Sequence, residues 1–149
     1  MKLDDALNAL GRQMHVPALG FDEAGVCRMV FDGDLIVDCE RLAGSEECGY
    51  LYSVVASLPA EGREGVYARL LGANLFGDET GEAVFAIDEV AGEILLQQRI
   101  DAANLNEGTF AAAVEAFVHV LEEWRERLRT ATDVSPATHA GMPPGMMHV

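Results

Sequence analysis

Residues 70–100, LLGANLFGDETGEAVFAIDEVAGEILLQQRI, carry a helix end, a turn and two strands in one run. An apolar segment, Val66 to Phe76, stops at Gly77-Asp78-Glu79-Thr80-Gly81, a cluster of turn formers. Ala83 to Ile87 and Glu93 to Ile100 then read as strands. The short acidic, Gly-containing break between them, Asp88 to Gly92, makes the pair a hairpin. The segment before the turn is unusual, because Val66, Tyr67, Leu70, Leu71, Ala73, Leu75 and Phe76 leave it almost no polar side. A surface helix has one apolar stripe, and a helix apolar nearly all round is buried on two sides. In a chain this short, one side has a sheet to lie on and the other is expected to meet a second subunit. Val66, Tyr67, Leu70, Leu71, Asn74, Leu75 and Phe76 are therefore the expected dimer interface.

Upstream of that stretch, Leu3, Leu7, Leu10 and Met14 repeat at helical spacing, with Pro17 beyond, predicting a first helix over about residues 2–14. Val26 to Phe31 and Leu35 to Cys39 flank Asp32-Gly33-Asp34, and Asp-Gly between β-rich runs is a strong hairpin signal. Arg41 to Cys48 reads as polar loop, Tyr50 to Ala56 as a third strand, and Pro59 opens the second helix. Downstream, Phe110, Val114, Phe117, Val118, Leu121, Trp124 and Leu128 predict a long third helix, with Asn104 or Asn106 as its N-cap. Thr130 to Val149, with Ser135-Pro136, Pro143-Pro144 and no period, reads as a flexible tail. The fold class is α+β, in the order α-β-β-β-α-β-β-α. Tight turns between sequential strands build a twisted antiparallel sheet, and helices pack on it. The domain is expected to cover residues 1–129 and the tail 130–149.

The chain has 149 residues, enough for one real core, and half of them are hydrophobic. Ten basic against twenty-five acidic residues give a net charge of −15. A field of that sign repels phosphate backbones and anionic lipid surfaces, so neither nucleic acid nor membrane is an expected partner. No apolar run approaches the roughly 20 residues of a membrane span, and the N-terminus does not read as a signal peptide. Cys27, Cys39 and Cys48 form an odd set without a Cys-x-x-Cys pair, which fits reduced thiols in a cytoplasm.

Motifs for chemistry are lacking. There is no Gly-x-Gly-x-x-Gly, phosphate loop, Gly-x-Ser-x-Gly or His-Glu-x-x-His. Glu115, His119 and Glu123 fall on one helix face, but Glu122 and Glu126 beside them mark an acidic solvent face rather than a metal site. Cys27 and Cys39 sit in apolar strands and read as buried small hydrophobes rather than nucleophiles. The expectation is a non-enzyme with no metal and no cofactor. Two other classes stay open: an adaptor or immunity-type protein binding a folded partner, and a small ligand-binding α+β domain.

Beyond these readings, the order of elements and several stretches resemble one family. They are Leu70-Leu71-Gly72-Ala73-Asn74-Leu75-Phe76, then Thr80-Gly81-Glu82-Ala83, Phe85-Ala86-Ile87-Asp88 and Phe110 to Trp124, with the opening Gly25-Val26-Cys27-Arg28-Met29. Over about residues 2–129 the chain resembles the class I chaperones of bacterial type III secretion, the Tir-chaperone (CesT-like) family. The resemblance implies a small acidic homodimer in the bacterial cytoplasm, without enzymatic activity, that dimerises through its second helix. It also implies that the N-terminal segment of a secreted effector is held unfolded on the surface and kept secretion-competent. Strand addition at a sheet edge is a common way to hold such a segment. Leu7, Leu10 and Met14, with Val26, Arg28 and Val30 on the first strand, are the expected client-binding residues.

Overall fold

The computed structural model describes residues 1–133. The elements come in the expected order: α1 (Leu3–Gln13), β1 (Val26–Phe31), β2 (Leu35–Arg41), β3 (Cys48–Ser57), α2 (Arg63–Ala73), β4 (Val84–Asp88), β5 (Glu93–Asp101) and α3 (Glu107–Asp133). The strands form one antiparallel sheet in the order β1-β2-β3-β5-β4, so β1 and β4 are its two edges. β4 and β5 make the second hairpin, while the path from β3 to β4 passes through α2 and skips the place β5 fills.

Alternation along the strands separates the two faces of the sheet. Cys27 and Met29, Leu35, Val37 and Cys39, Leu51 and Val55, and Ile94, Leu96 and Ile100 are buried. They meet the apolar stripes of α1 (Leu3, Ala6, Leu7, Leu10) and α3 (Phe110, Val114, Phe117, Leu121, Trp124) in one core. Both helices thus lie on the same face. Gly49 lets α1 approach: a Cβ there would stand 2.5 Å from the Glu40 carbonyl oxygen and 3.0 Å from Leu3 Cδ1.

Local signals explain the ends. The Leu3 N–H donates to the Glu46 carbonyl at 2.9 Å, so the β2–β3 loop caps α1 where Lys2 offers no side-chain cap. Asp4 and Asp5 in the first turn and Arg12 in the last suit the helix dipole. At α3, Asn106 rather than Asn104 is the cap: its Oδ1 accepts from the Thr109 N–H at 2.9 Å, and Thr109 Oγ1 accepts from the Asn106 N–H at 2.9 Å. The Asp32-Gly33 turn holds both residues at positive φ, 51° and 85°.

Several boundaries move. β2 runs to Arg41 and β3 starts at Cys48, so the two ends of the expected polar loop join the strands, with Arg41 opposite Gly49, and residues 42–47 are the loop. α2 begins at Arg63 and stops at Ala73; Leu75–Gly77 is a separate 3-10 turn, because Phe76 takes a left-handed φ of 55° that no α-helix holds. α3 continues to Asp133, past the expected domain boundary at 129; the rest of the expected tail, from residue 134, lies outside the described residues.

Candidate functional site

Helices cover one face of the sheet and leave the other open. Its apolar residues follow a row: Val30 is 52% exposed, Ile36 43% and Val54 45%, with Leu95 opposite Val54 and Ala86 opposite Leu95. The next row is polar. Arg28, Asp38, Tyr52 and Gln97 are successive cross-strand partners. Arg28 grips Asp38 with two bonds of 2.9 Å, Nε to Oδ1 and Nη2 to Oδ2. That fork lets a carboxylate stay buried on an otherwise open face. Burial pushes the Tyr52 hydroxyl up to about 12, and the carboxylates of Glu40 and Asp38 add to the effect.

The β1 edge is where this face ends. In an antiparallel ladder, alternate residues turn their N–H and C=O groups away from the partner strand. On β1 these are Val26, Arg28 and Val30, because Gly25 accepts from Arg41 across the ladder at 2.9 Å. Val26 is already served: its N–H donates to Asp22 Oδ1 at 3.0 Å and its carbonyl accepts from the Asp22 N–H at 2.9 Å. Among the described residues, nothing bonds the outward backbone groups of Arg28 and Val30.

The β4 edge is closed at Phe85. Phe85 turns its backbone outward, and there its N–H donates to Asn74 Oδ1 at 2.7 Å while its carbonyl accepts from Asn74 Nδ2 at 3.3 Å. One side-chain amide thus imitates a neighbouring strand, and it also ties the end of α2 to the sheet. A second tie lies beside it. Glu79 takes Arg69 in a fork of 2.9 and 3.0 Å and Arg127 at 3.4 Å. Both guanidinium groups stand over the Trp124 ring, at 4.8 and 5.0 Å, and Trp124 Nε1 donates to the Glu79 carbonyl at 3.1 Å. Phe85 meets the same ring edge-on at 4.8 Å. The Arg69 fork holds the Glu79 carboxyl below its ordinary range, with burial opposing and Arg127 assisting.

These ties hold a helix with little core of its own. Leu70 and Ala73 are the buried residues of α2. Val66 and Tyr67 are half-buried, while Leu71 is 69% exposed, Leu75 58% and Phe76 90%. One side of α2 therefore lies on the rest of the chain, while Leu71 on its other side and Leu75 and Phe76 in the turn after it reach into open space.

The expected site residues divide accordingly. Leu7, fully buried, and Leu10, 6% exposed, fill the subunit's own core and offer no pocket to a client. The stripe they form is covered by the sheet and α3. Met14 is half-buried at the end of α1. Leu70, 2% exposed, likewise belongs to the core rather than to an interface, and Asn74 spends its amide on Phe85. Arg28 and Val30 share the open face and the free edge. The roles of Asn74 at β4, of Glu79 between two arginines and of the Ile36–Val54–Leu95 row went unread in the sequence.

Chemistry is sparse. Among the described residues, no three His, Cys, Asp or Glu side chains come together as metal ligands. His119 Nε2 lies 3.5 Å from Glu123 Oε1 on an exposed face. Cys27 and Cys39 are buried, and desolvation raises their thiols to about 11 and about 12. Among the described residues no helix is long and apolar enough to cross a membrane.

This architecture has relatives. A chain of the ExsC–ExsE complex is 26% identical, with a TM-score of 0.69 over 83% of this chain and 91% of that one. A chain of the Yersinia pestis complex of the type III secretion chaperone SycH with a fragment of YscM2 shares the fold, at 16% identity and a TM-score of 0.62, over 81% and 98%. So does one of the heterodimeric ExoU–SpcU complex from the type III secretion system of Pseudomonas aeruginosa, at 19% and 0.59, over 85% and 93%. Among curated proteins none is significantly similar in sequence. The model of the Tir chaperone protein (CesT) family matches residues 5–125, from α1 through most of α3 and across every strand of the sheet. With four-fifths of its length inside that match, the chain belongs to the Tir chaperone protein (CesT) family.

Proposed function

We propose that this protein is a type III secretion chaperone, acting in the bacterial cytoplasm, that holds the N-terminal segment of a secreted effector in extended form. The observation that carries the reading is the juxtaposition at β1. Unbonded backbone groups of Arg28 and Val30 line the edge, and the apolar row from Val30 through Ile36 and Val54 to Leu95 begins at that edge. An added strand finds main-chain hydrogen bonds at the edge and apolar contact on the open face, which is the physics of strand augmentation. SycH, among the neighbours above, is by name a type III secretion chaperone, and the matching family is one of chaperones.

The working unit in this reading is a homodimer joined through the outer side of α2. Leu71, Leu75 and Phe76 support it, since exposed apolar side chains this large on one short segment mark an interaction surface. The chemistry of the subunit is that of binding rather than catalysis.

The test is co-expression with the secreted protein encoded beside this chain, with and without that protein's N-terminal segment. Capture that depends on the segment and is lost in Val30→Asp, with the Val30→Asp subunit still folded by circular dichroism, supports the reading. Equal capture of the truncated protein refutes it.

A further inference from the structure

The free edge of β1 is short, and both of its ends are closed. Asp22 closes the first. Its Oδ1 accepts from the Val26 N–H at 3.0 Å and from the Ala24 N–H at 2.9 Å, and its own N–H donates to the Val26 carbonyl at 2.9 Å. Both outward backbone groups of Val26 are therefore spent inside the chain. The hairpin turn closes the second end. The Asp34 N–H donates to the Phe31 carbonyl at 3.2 Å, and Asp32 stands at a left-handed φ of 51° that carries the backbone off the strand. Between these stops lie Cys27 to Phe31, and the outward-facing residues there are Arg28 and Val30. The N–H and C=O of those two residues are what the edge offers to an added strand.

Alternation alone does not fix where a strand sits on such an edge. A one-residue slip turns every side chain to the other face, but a two-residue slip leaves each on its own face. The two positions on β1 are not equal. A side chain opposite Val30 joins the apolar row that continues to Ile36 and Val54, whereas one opposite Arg28 meets the guanidinium forked on Asp38. Were Val26 free, a strand shifted by two residues would exchange the main-chain bonds at Val30 for equal ones at Val26. With Val26 closed, the same slip gives up the bonds at Val30 and finds none in return.

We infer that Asp22 is a positioning residue: it ends the free edge at Arg28 and so fixes the register of the client strand added at β1. This rests on the client reading. The client segment it selects is a strand of about five residues, matched to Cys27–Phe31. Its side chain opposite Val30 is apolar. Two residues away, the one opposite Arg28 is neither lysine nor arginine, because like charges directly opposite each other work against pairing. Asp22 is itself exposed, so replacing it changes the edge and leaves the core intact.

The experiment is amide exchange by two-dimensional NMR on the full chain as wild type, Asp22→Ala and Asp22→Asn. Each is measured alone and co-expressed with the N-terminal segment of the secreted protein encoded beside it. In the free chain, Asp22→Ala speeds exchange at Val26 at least about tenfold, since a bond to a carboxylate is lost, while Asp22→Asn keeps Oδ1 as acceptor and speeds it less. The bound segment protects Arg28 and Val30 in all three proteins. At Val26 it adds protection in Asp22→Ala and none in wild type or Asp22→Asn. A Val26 amide as slow in free Asp22→Ala as in wild type, or one that the bound segment leaves fast in Asp22→Ala, removes the stop alone. Arg28 and Val30 amides that stay unprotected in the wild-type complex remove the strand reading and the stop with it.

Discussion

Two adjacent leucines have opposite fates, and replacing each by alanine separates subunit stability from assembly. Leu70 is 2% exposed within the subunit and Leu71 is 69% exposed. Fully burying a leucine is worth about 1.5–3 kcal/mol, so covering the exposed part of Leu71 contributes roughly 1–2 kcal/mol. A two-fold interface uses the residue twice. Leu71→Ala is therefore expected to weaken the proposed dimer by about 2–4 kcal/mol, a rise in dissociation constant of about 30-fold to several hundred-fold. Sedimentation velocity over a dilution series reads this as a shift from twice the 16.0 kDa subunit mass toward 16.0 kDa. Leu70→Ala instead opens a cavity in the core and costs about 2–5 kcal/mol of subunit stability, read by urea unfolding. A wild-type protein that sediments as a monomer at micromolar concentration, or a Leu71→Ala protein as tightly dimeric as wild type, refutes the reasoning.

The other predictions concern the supports of that surface and the thiols. Glu79→Gln lowers stability by about 1 kcal/mol, a small figure because the carboxylate is a third exposed and screened. Trp124, the one tryptophan in the chain, reports the unfolding by fluorescence. Arg69 lowers the Glu79 carboxyl from 4.5, so its contribution is complete above 4.5 and is lost as pH falls through the lower native value. The wild type and Glu79→Gln therefore converge in acid and differ near neutrality. Ellman's reagent at mildly alkaline pH labels the partly exposed Cys48 first, while Cys27 and Cys39, buried and raised to about 11 and about 12, react only on unfolding.

Local signals made much of the fold legible. Asp32-Gly33 marks a turn because few other residues accept its positive φ, and the spacing from Phe110 to Leu128 leaves a helix one apolar face. The candidate site was harder to read, because periodicity says which face is apolar but not what covers it. Leu7 and Leu10 show the difficulty: the same stripe suits a client pocket and a core, and here α3 and the sheet fill the space before any client does. Asn74 is a second case. Its partner Phe85 is eleven residues away, and only the closure of α2 against β4 makes an asparagine amide the neighbour of an edge strand. The fork of Arg28 on Asp38 is set by strand register, in which a one-residue slip would put the two on opposite faces. For α2 the run of apolar residues marked a helix with two tasks, yet it did not separate Leu70 from Leu71.

The most direct test of strand addition at β1 is amide hydrogen exchange, residue by residue, with and without the client's N-terminal segment. In the free protein, the Arg28 and Val30 amides face outward without a partner and exchange fast, while Cys27 and Met29, turned toward β2, are protected. The account predicts that bound client protects Arg28 and Val30 strongly and leaves the Phe85 amide, already held by Asn74, as it was. Protection that leaves Arg28 and Val30 exchanging as in the free protein would contradict it.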